Sequence, residues 1–287
     1  MNDKSKLRKL NLKETQEELL NLLLKFDSFC KEHKINYFLS GGTLLGAIRH
    51  QGFIPWDDDI DLMLPRPDYQ KLKYHLENSN ISLEYQDFDK TEGYFFPYLR
   101  IVDSSVIVKI PFYERYDFKR VGESLNLFID IFPLDGVPKS KFKQKVLIFK
   151  IIYLRKFAKA SLIRIDWFTN KEDFLIKRVG KFLFTPFILL LKLFGHVYFL
   201  IKMDKILKKN EFNESENIAE LAFAYDDNII FSKNAVASSL DVNFEGYTFK
   251  APLGYDEYLT NNYGSYMQLP PEDKRVTHFN GLVFKKE

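Results

Sequence analysis

FLSGGTLLGAIRHQGFIPWDDDIDLMLPRP, residues 38–67, decides how the chain folds. It opens as a short apolar strand, Tyr37-Phe38-Leu39, turns at Ser40-Gly41-Gly42-Thr43, and continues as a helix-like segment, Leu44-Leu45-Gly46-Ala47-Ile48. A Gly/Pro loop then leads to a second strand that begins among acids: Asp57, Asp58, Asp59 and Asp61 fall within five positions, ahead of Leu62-Met63-Leu64. Side chains alternate along a strand, so Asp59 and Asp61 should share one face while Ile60 and Leu62 enter the core. Two carboxylates held together repel unless a cation or water lies between them, and hard oxygen ligands suit Mg²⁺ or Mn²⁺. Glycines at a strand-to-helix turn let backbone approach a ligand, and the helix's first amides point at an anion, so residues 40–43 read as a phosphate cradle. Gly-Gly alone is a weak signal; beside an Asp-x-Asp on the next strand it becomes a strong one.

Outward from this stretch, residues 12–33 read as an amphipathic helix whose apolar face includes Leu19, Leu22, Leu23, Phe26 and Phe29. Pro67 stands where another helix would begin, continued by Tyr69, Leu72 and Leu76. Strand-like segments follow at 81–86, 94–102 and 105–110. In Leu125-Asn126-Leu127-Phe128-Ile129-Asp130-Ile131-Phe132 one acid interrupts an apolar strand. Burying it is costly unless it is paired or binds a metal, so Asp130 is a candidate third carboxylate, the alternative being a solvent-facing Asp on an edge strand. Asp135 falls before Gly136, where turn chemistry alone would explain it.

Residues 139–210 change character, with lysines and arginines set among long aliphatic and aromatic runs. Phe182–Ile201 is long enough to cross a membrane, but Pro186, Lys192, Gly195 and His196 interrupt it, so a single span is not expected. Two readings stay open: helices in a membrane interface, or a helical insertion packed on the sheet with its lysines solvated. His196 reads as a packing residue. Farther on, residues 213–223 suggest a helix and 229–231 a strand. VNFEGYTFKAP (242–252) alternates like a hairpin turning at Glu245-Gly246, and Tyr255, Tyr258 and Leu259 fit a helix.

The totals bound these readings. The chain has 287 residues, 46% hydrophobic and 28% charged, with 28 Phe and a net charge of +3. Basic residues form no nucleic-acid stripe, so no nucleic-acid partner is expected. The one cysteine, Cys30, lies among apolar residues of the first helix and reads as core, which fits a reducing cytosol. Residues 1–20 lack the apolar segment of a signal peptide, so a cytoplasmic protein is expected, peripheral at the inner face of the plasma membrane if 139–210 meets lipid.

The ordered pattern Gly-Gly-Thr-Leu-Leu-Gly, Arg-His, Gly-Phe-Ile-Pro-Trp-Asp-Asp-Asp, Asp at residues 41–61 resembles the LicD family. The resemblance implies an α/β (α+β) fold of nucleotidyltransferase type: a mixed sheet flanked by helices, with residues 1–138 and 211–287 as catalytic domain and 139–210 as helical insertion. It implies a phosphotransferase that moves a headgroup, phosphocholine from CDP-choline, onto a cell-surface glycan of teichoic acid or lipopolysaccharide type, lipid-linked where the acceptor sits in a membrane. The family's FIDIFPLDG-like motif supplies a third acid, which makes Asp59, Asp61 and Asp130 the expected catalytic and metal-binding set. Ser40, Gly41, Gly42 and Thr43 are then expected around the donor's phosphates, joined by Arg49 and Arg66, which recur in the family pattern. Trp56, Asp57, Asp58 and Arg100 are expected substrate contacts. So are Arg275 and His278, from an Arg-x-x-His near the end of family sequences, although this chain has Phe279 where some members carry a second histidine. Two rivals keep the same fold: a nucleotidyltransferase acting on a sugar or phosphosugar, and a non-catalytic glycan or lipid binder.

Overall fold

One mixed sheet organises the molecule, and its central strand is the apolar run that contains Asp130. The computed structural model describes residues 7–79, 83–109, 125–163, 175–224, 229–277, 279 and 282–287, with backbone alone at 175–182. In chain order, β1 (Leu7–Lys9) precedes α1 (Leu12–His33), β2 (Phe38–Leu39), α2 (Gly41–His50), β3 (Asp61–Pro65) and α3 (Arg66–Asn78). Then come β4 (Tyr85–Gln86), β5 (Leu99–Val108), β6 (Leu125–Gly136), α4 (Lys141–Ser161) and α5 (Leu175–Leu207). The last part holds β7 (Asn217–Ala219), β8 (Phe231–Ser232), β9 (Ser239–Phe244), β10 (Tyr247–Pro252), α6 (Tyr255–Tyr263) and β11 (Val283–Lys286).

The sheet runs β1-β11-β5-β6-β3-β2, with β4 on β5, β7 on the end of β6, and β8 on β7. Among the described residues, β3 and β6 pair in parallel and the other pairs of the sheet are antiparallel. This is the α/β class, with helices packed on a mixed sheet. Strand β6 is almost wholly buried, as a central strand covered on both faces must be. Its odd-numbered Leu127, Ile129 and Ile131 are fully buried, and alternation turns Phe128, Asp130 and Phe132 to the opposite face.

Helix α1 starts at a capping box: the Asn11 side chain accepts from the Glu14 amide at 2.9 Å, and Glu14 accepts from the Asn11 amide at 2.8 Å. It ends at Lys34 in the left-handed region, and buries Leu19, Leu23, Phe26, Phe29 and Cys30 in the main core.

Some elements differ from the sequence reading. The strands expected at 94–102 and 105–110 meet in one strand, β5, which begins only at Leu99, leaves 94–98 outside the sheet, and slips in its pairing with β6 between Asp103 and Ile107; residue 110 lies outside the described residues. The polar Asp103-Ser104-Ser105 makes a bulge rather than a turn, with the Ser105 amide donating to Asp103 Oδ1 at 2.9 Å. The helix expected over 213–223 is absent: 217–219 extend β6's sheet and 221–223 make one 3₁₀ turn. In α5, Pro186 lies within helix, and Gly195 alone has non-helical torsions.

Candidate active site

Register brings three charged residues into one row. Asp61 on β3 is the pairing partner of Asp130 on β6, and Asp130 is also the partner of Arg100 on β5. Paired residues in neighbouring strands project to the same face, so Asp61, Asp130 and Arg100 stand side by side. The Arg100 guanidinium donates to Asp130 through Nε (2.5 Å to Oδ1) and Nη2 (3.4 Å to Oδ2), and the Tyr98 hydroxyl lies 3.4 Å from Oδ2. It is buried over the rings of Phe128 and Phe96, 3.6 and 4.0 Å from their centroids. A cation desolvated between aromatic faces is held electrostatically as well as by its carboxylate. Arg100 therefore fixes how Asp130 is aimed, where the sequence suggested a substrate contact.

The glycine turn meets this row at its β3 end. Gly41 has φ +50°, and a Cβ built on it would lie 2.7 Å from Asp61 Oδ2; one on Gly42 would lie 2.7 Å from Asp57 Oδ2. No residue with a side chain fits either position without displacing a carboxylate. Thr43 Oγ1 accepts from the Asp61 amide at 2.9 Å, and the Ser40 amide donates to the Asp61 carbonyl at 3.0 Å. The start of α2 is thus laced to the start of β3. Asp59 lies two residues before β3 begins, half-buried next to the fully buried Ile60.

Beneath the turn lies a polar cluster that the sequence reading missed. The Ser40 hydroxyl donates to Glu220, the Tyr258 hydroxyl donates to Glu220 Oε2 at 2.9 Å, and the Gly41 amide donates to the Tyr258 oxygen at 3.1 Å. Burial pushes the Glu220 carboxyl up, and the bonds from Ser40 and Tyr258 oppose the shift. Tyr263, at the end of α6, keeps part of its ring exposed, but its hydroxyl is enclosed. That burial, and then the charges of Asp61, Glu220, Asp57 and Asp59, push its phenol far up. The signal for Glu220 was present, since NIAELAF sets one acid in an apolar run, as around Asp130. Tyr258 carries no such signal, since its spacing with Tyr255 and Leu259 reads only as helix patterning.

Several expected ligand contacts are engaged elsewhere. Arg66 is buried and bidentate on Asp135, with Nε–Oδ1 and Nη2–Oδ2 both at 2.6 Å, and reaches Asp204 at 3.3 Å. It sits past the opposite end of β3 from Asp61, so the expected phosphate contact is corrected to a structural ion pair. Asp58 is buried and accepts from the Phe279 amide at 3.0 Å, which ties the C-terminal segment to the core in place of touching substrate. Arg49 donates to the carbonyls of Tyr266 (2.7 Å) and Gln268 (3.2 Å) and to His50 Nε2 (2.9 Å), bracing the 265–268 turn. Arg275 stacks on Trp56, 5.1 Å from the ring centroid, and its Nε donates to the Pro270 carbonyl at 3.0 Å. His278 lies outside the described residues.

In donor type the site fits a hard divalent ion: carboxylates on adjacent strands, a helix N-terminus, and two glycines that clear the space. Among the described residues no three acid, His or Cys side chains converge as a ready-made cage. Mg²⁺ is commonly held by one or two carboxylates with substrate phosphates completing its shell, so such a cage is not required.

Residues 34–160 match the family model described as LicD/FKTN/FKRP, nucleotidyltransferase domain. Over 286 residues, 95% of this chain and 97% of the relative, the sequence is 32% identical to the lipopolysaccharide cholinephosphotransferase LicD of Haemophilus influenzae. It is also 31% identical over 119 residues to Mannosyltransferase regulator 4 of Saccharomyces cerevisiae, covering 41% of this chain and 10% of that protein. A third similarity, 61% over 28 residues, is to human ribitol 5-phosphate transferase FKRP, covering 10% of this chain and 6% of that protein.

Proposed function

The chain belongs to the LicD family and is a transferase, and we propose that it moves phosphocholine from CDP-choline onto a hydroxyl of a cell-surface glycan, of lipopolysaccharide or teichoic acid type, at the cytoplasmic side of the membrane. The observation that carries this reading is the Asp61–Asp130 pair, in register on parallel strands, with Asp61 against the Gly41 turn. Phosphoryl transfer asks little covalent chemistry of a protein; it needs positioning and compensation for charge spread over phosphoryl oxygens.

Each side chain then has a task. Asp61 and Asp130 would hold Mg²⁺ or Mn²⁺ together with the donor's diphosphate, with Asp59 two residues upstream of the pair. When bound, the ion neutralises phosphate charge and stabilises the CMP that departs. The amides at the start of α2 and Thr43 receive phosphate oxygens, and the absence of side chains at Gly41 and Gly42 lets the diphosphate approach. Arg100 keeps Asp130 aimed along the row, as hydrogen-bonded outer partners do for ligating carboxylates. The acceptor oxygen attacks the choline-bearing phosphorus, the bond to the CMP oxygen breaks, and the hydroxyl proton passes to Asp130. Trp56, next to Asp57, offers an aromatic face to a quaternary ammonium once Arg275 moves aside.

Incubation of the purified chain with Mg²⁺, CDP-choline and a glycan acceptor, followed by mass spectrometry, tests this. CMP should appear only with acceptor present, and the acceptor should gain phosphocholine. An acceptor carrying CMP, or no transfer by folded protein across choline and polyol-phosphate donors, would overturn the reading.

A further inference from the structure

The charge of this chain is divided unevenly. Residues 139–210 contain 18 Lys and Arg against four Asp and Glu, leaving 24 bases and 35 acids in the rest. A molecule of net +3 is therefore an acidic body bearing a segment of +14.

That segment is rooted firmly. Arg155 on α4 is buried and donates to the carbonyls of Ala222 (3.1 Å) and Ala224 (2.6 Å). On α5, Leu200, Met203 and Leu207 are buried, and Asp204 accepts from Arg66. The outer part of α5 is the opposite: Leu183, Phe184, Leu190, Leu193 and Phe194 are all exposed, Leu193 by 84% and Leu183 by 70%. The most apolar 18-residue window within 183–207 has a mean hydropathy of 1.8, yet only 22% of it is buried. A helix of a water-facing surface would turn such a face inward.

Three occupants could cover it, and two fail on physical grounds. A membrane-crossing helix would have to use 183–198, because 199–207 are fixed in the core by their burial and by the Arg66–Asp204 contact. Those residues span roughly 24 Å at 1.5 Å each, short of the ~30 Å hydrocarbon core, with Lys192 in their middle. A second copy joined by two-fold symmetry would bring one +14 segment against another, and like charge opposes that contact. An anionic bilayer surface is attracted by the same charge. The rim of the apolar face also has the makeup of helices lying in a headgroup region. Lys202 Nζ sits 5.2 Å from the Tyr198 ring centroid, and Lys156 Nζ 5.3 Å from that of Tyr153, while Tyr153 packs on Phe149 at 4.3 Å.

We propose that α4 and α5 form a monotopic membrane-docking hairpin, in which the apolar face of residues 183–198 enters the interface of an anionic bilayer without crossing it and the surrounding lysines contact lipid headgroups. This seats the Asp61–Asp130 row at a fixed height above lipid, because Phe96, which stacks on Arg100, also packs against the buried cluster of α4 and α5.

The test uses the full chain and needs no turnover, so it is independent of the transfer reaction. Co-sedimentation is measured with vesicles of phosphatidylcholine alone and of phosphatidylcholine with phosphatidylglycerol in equal parts. Binding is expected only to the anionic vesicles, falling as salt is raised and reversed by alkaline carbonate. Leu193→Glu/Phe194→Glu should lower it by about tenfold or more with an unchanged unfolding midpoint. Lack of binding by the folded wild type, equal binding by the double variant, resistance to carbonate, or a stable dimer that hides this face would each overturn the proposal.

Discussion

Asp130 and Glu220 are both lone acids in apolar runs, and both are satisfied by a neighbour the sequence does not name. Asp130 is drawn to Arg100 thirty residues away, and Glu220 to Ser40 and Tyr258 across the molecule. Cost of burial makes such an acid legible as important, but its partner appears only once strands are in register. Asp61 has no role in packing the core, so Asp61→Asn should cut turnover by about 10²–10³ while leaving the unfolding midpoint nearly unchanged; equal activity in a transfer assay would remove Asp61 from the site. Glu220 gives a pH prediction with a definite sign. Its folded carboxyl titrates above the unfolded value, so the stability it contributes is complete below about pH 4.3 and is lost as pH rises through the raised value. Glu220→Gln does not titrate. The melting temperature of that variant relative to wild type should therefore climb between acidic and neutral pH, and a difference that stays flat in a series of melts would contradict the assignment.

At the level of elements, local rules were readable where local chemistry decides the outcome. The hairpin of β9 and β10 turns at Glu245-Gly246 with φ +52° and +80°, the positive pair that a two-residue turn demands. The glycines of α2 were legible as a motif but not as separate constraints: a Cβ on Gly46 would lie 2.4 Å from the Gly52 carbonyl, a packing reason, whereas Gly41 and Gly42 clear carboxylates. Residues 213–223 misled because Ile218, Ala219, Leu221 and Ala222 are spaced as well for a helix as for a strand; pairing of Ile218 and Ala219 with the end of β6 decides. Gly42→Ala separates turn from site. The backbone at Gly42 has no positive φ, so the helical gain of about 1 kcal/mol on going from Gly to Ala offsets the clash and stability should change little, but the new methyl would push Asp57 from the turn. The expected kinetic result is a raised KM for the donor with a nearly native melting temperature, and an unchanged KM would show that the turn lies away from the donor.

Across the whole molecule, Arg66 does what no single element could show. Its guanidinium joins the start of α3 to Asp135 at the end of β6 and to Asp204 on α5, all three side chains buried or half-buried. The family-like pattern made Arg66 a phosphate ligand, since a short motif records that an arginine recurs and not what it touches; Asp204 is 138 residues distant, beyond any motif. The two roles predict opposite phenotypes. As a phosphate ligand, Arg66→Ala would raise the donor KM and spare the fold. If it is the tie between helices and sheet, its loss strands the Asp135 carboxyl in the core, where burial already pushes it up, at a cost of about 3–5 kcal/mol. For a chain of this length that lowers the melting temperature by roughly 10 °C, at about 2–4 °C per kcal/mol. Arg66→Met/Asp135→Leu, which removes both charges and keeps the volume, should recover most of the loss. Thermal melts of the three proteins decide between the roles, and a native melting temperature for Arg66→Ala would return Arg66 to the substrate.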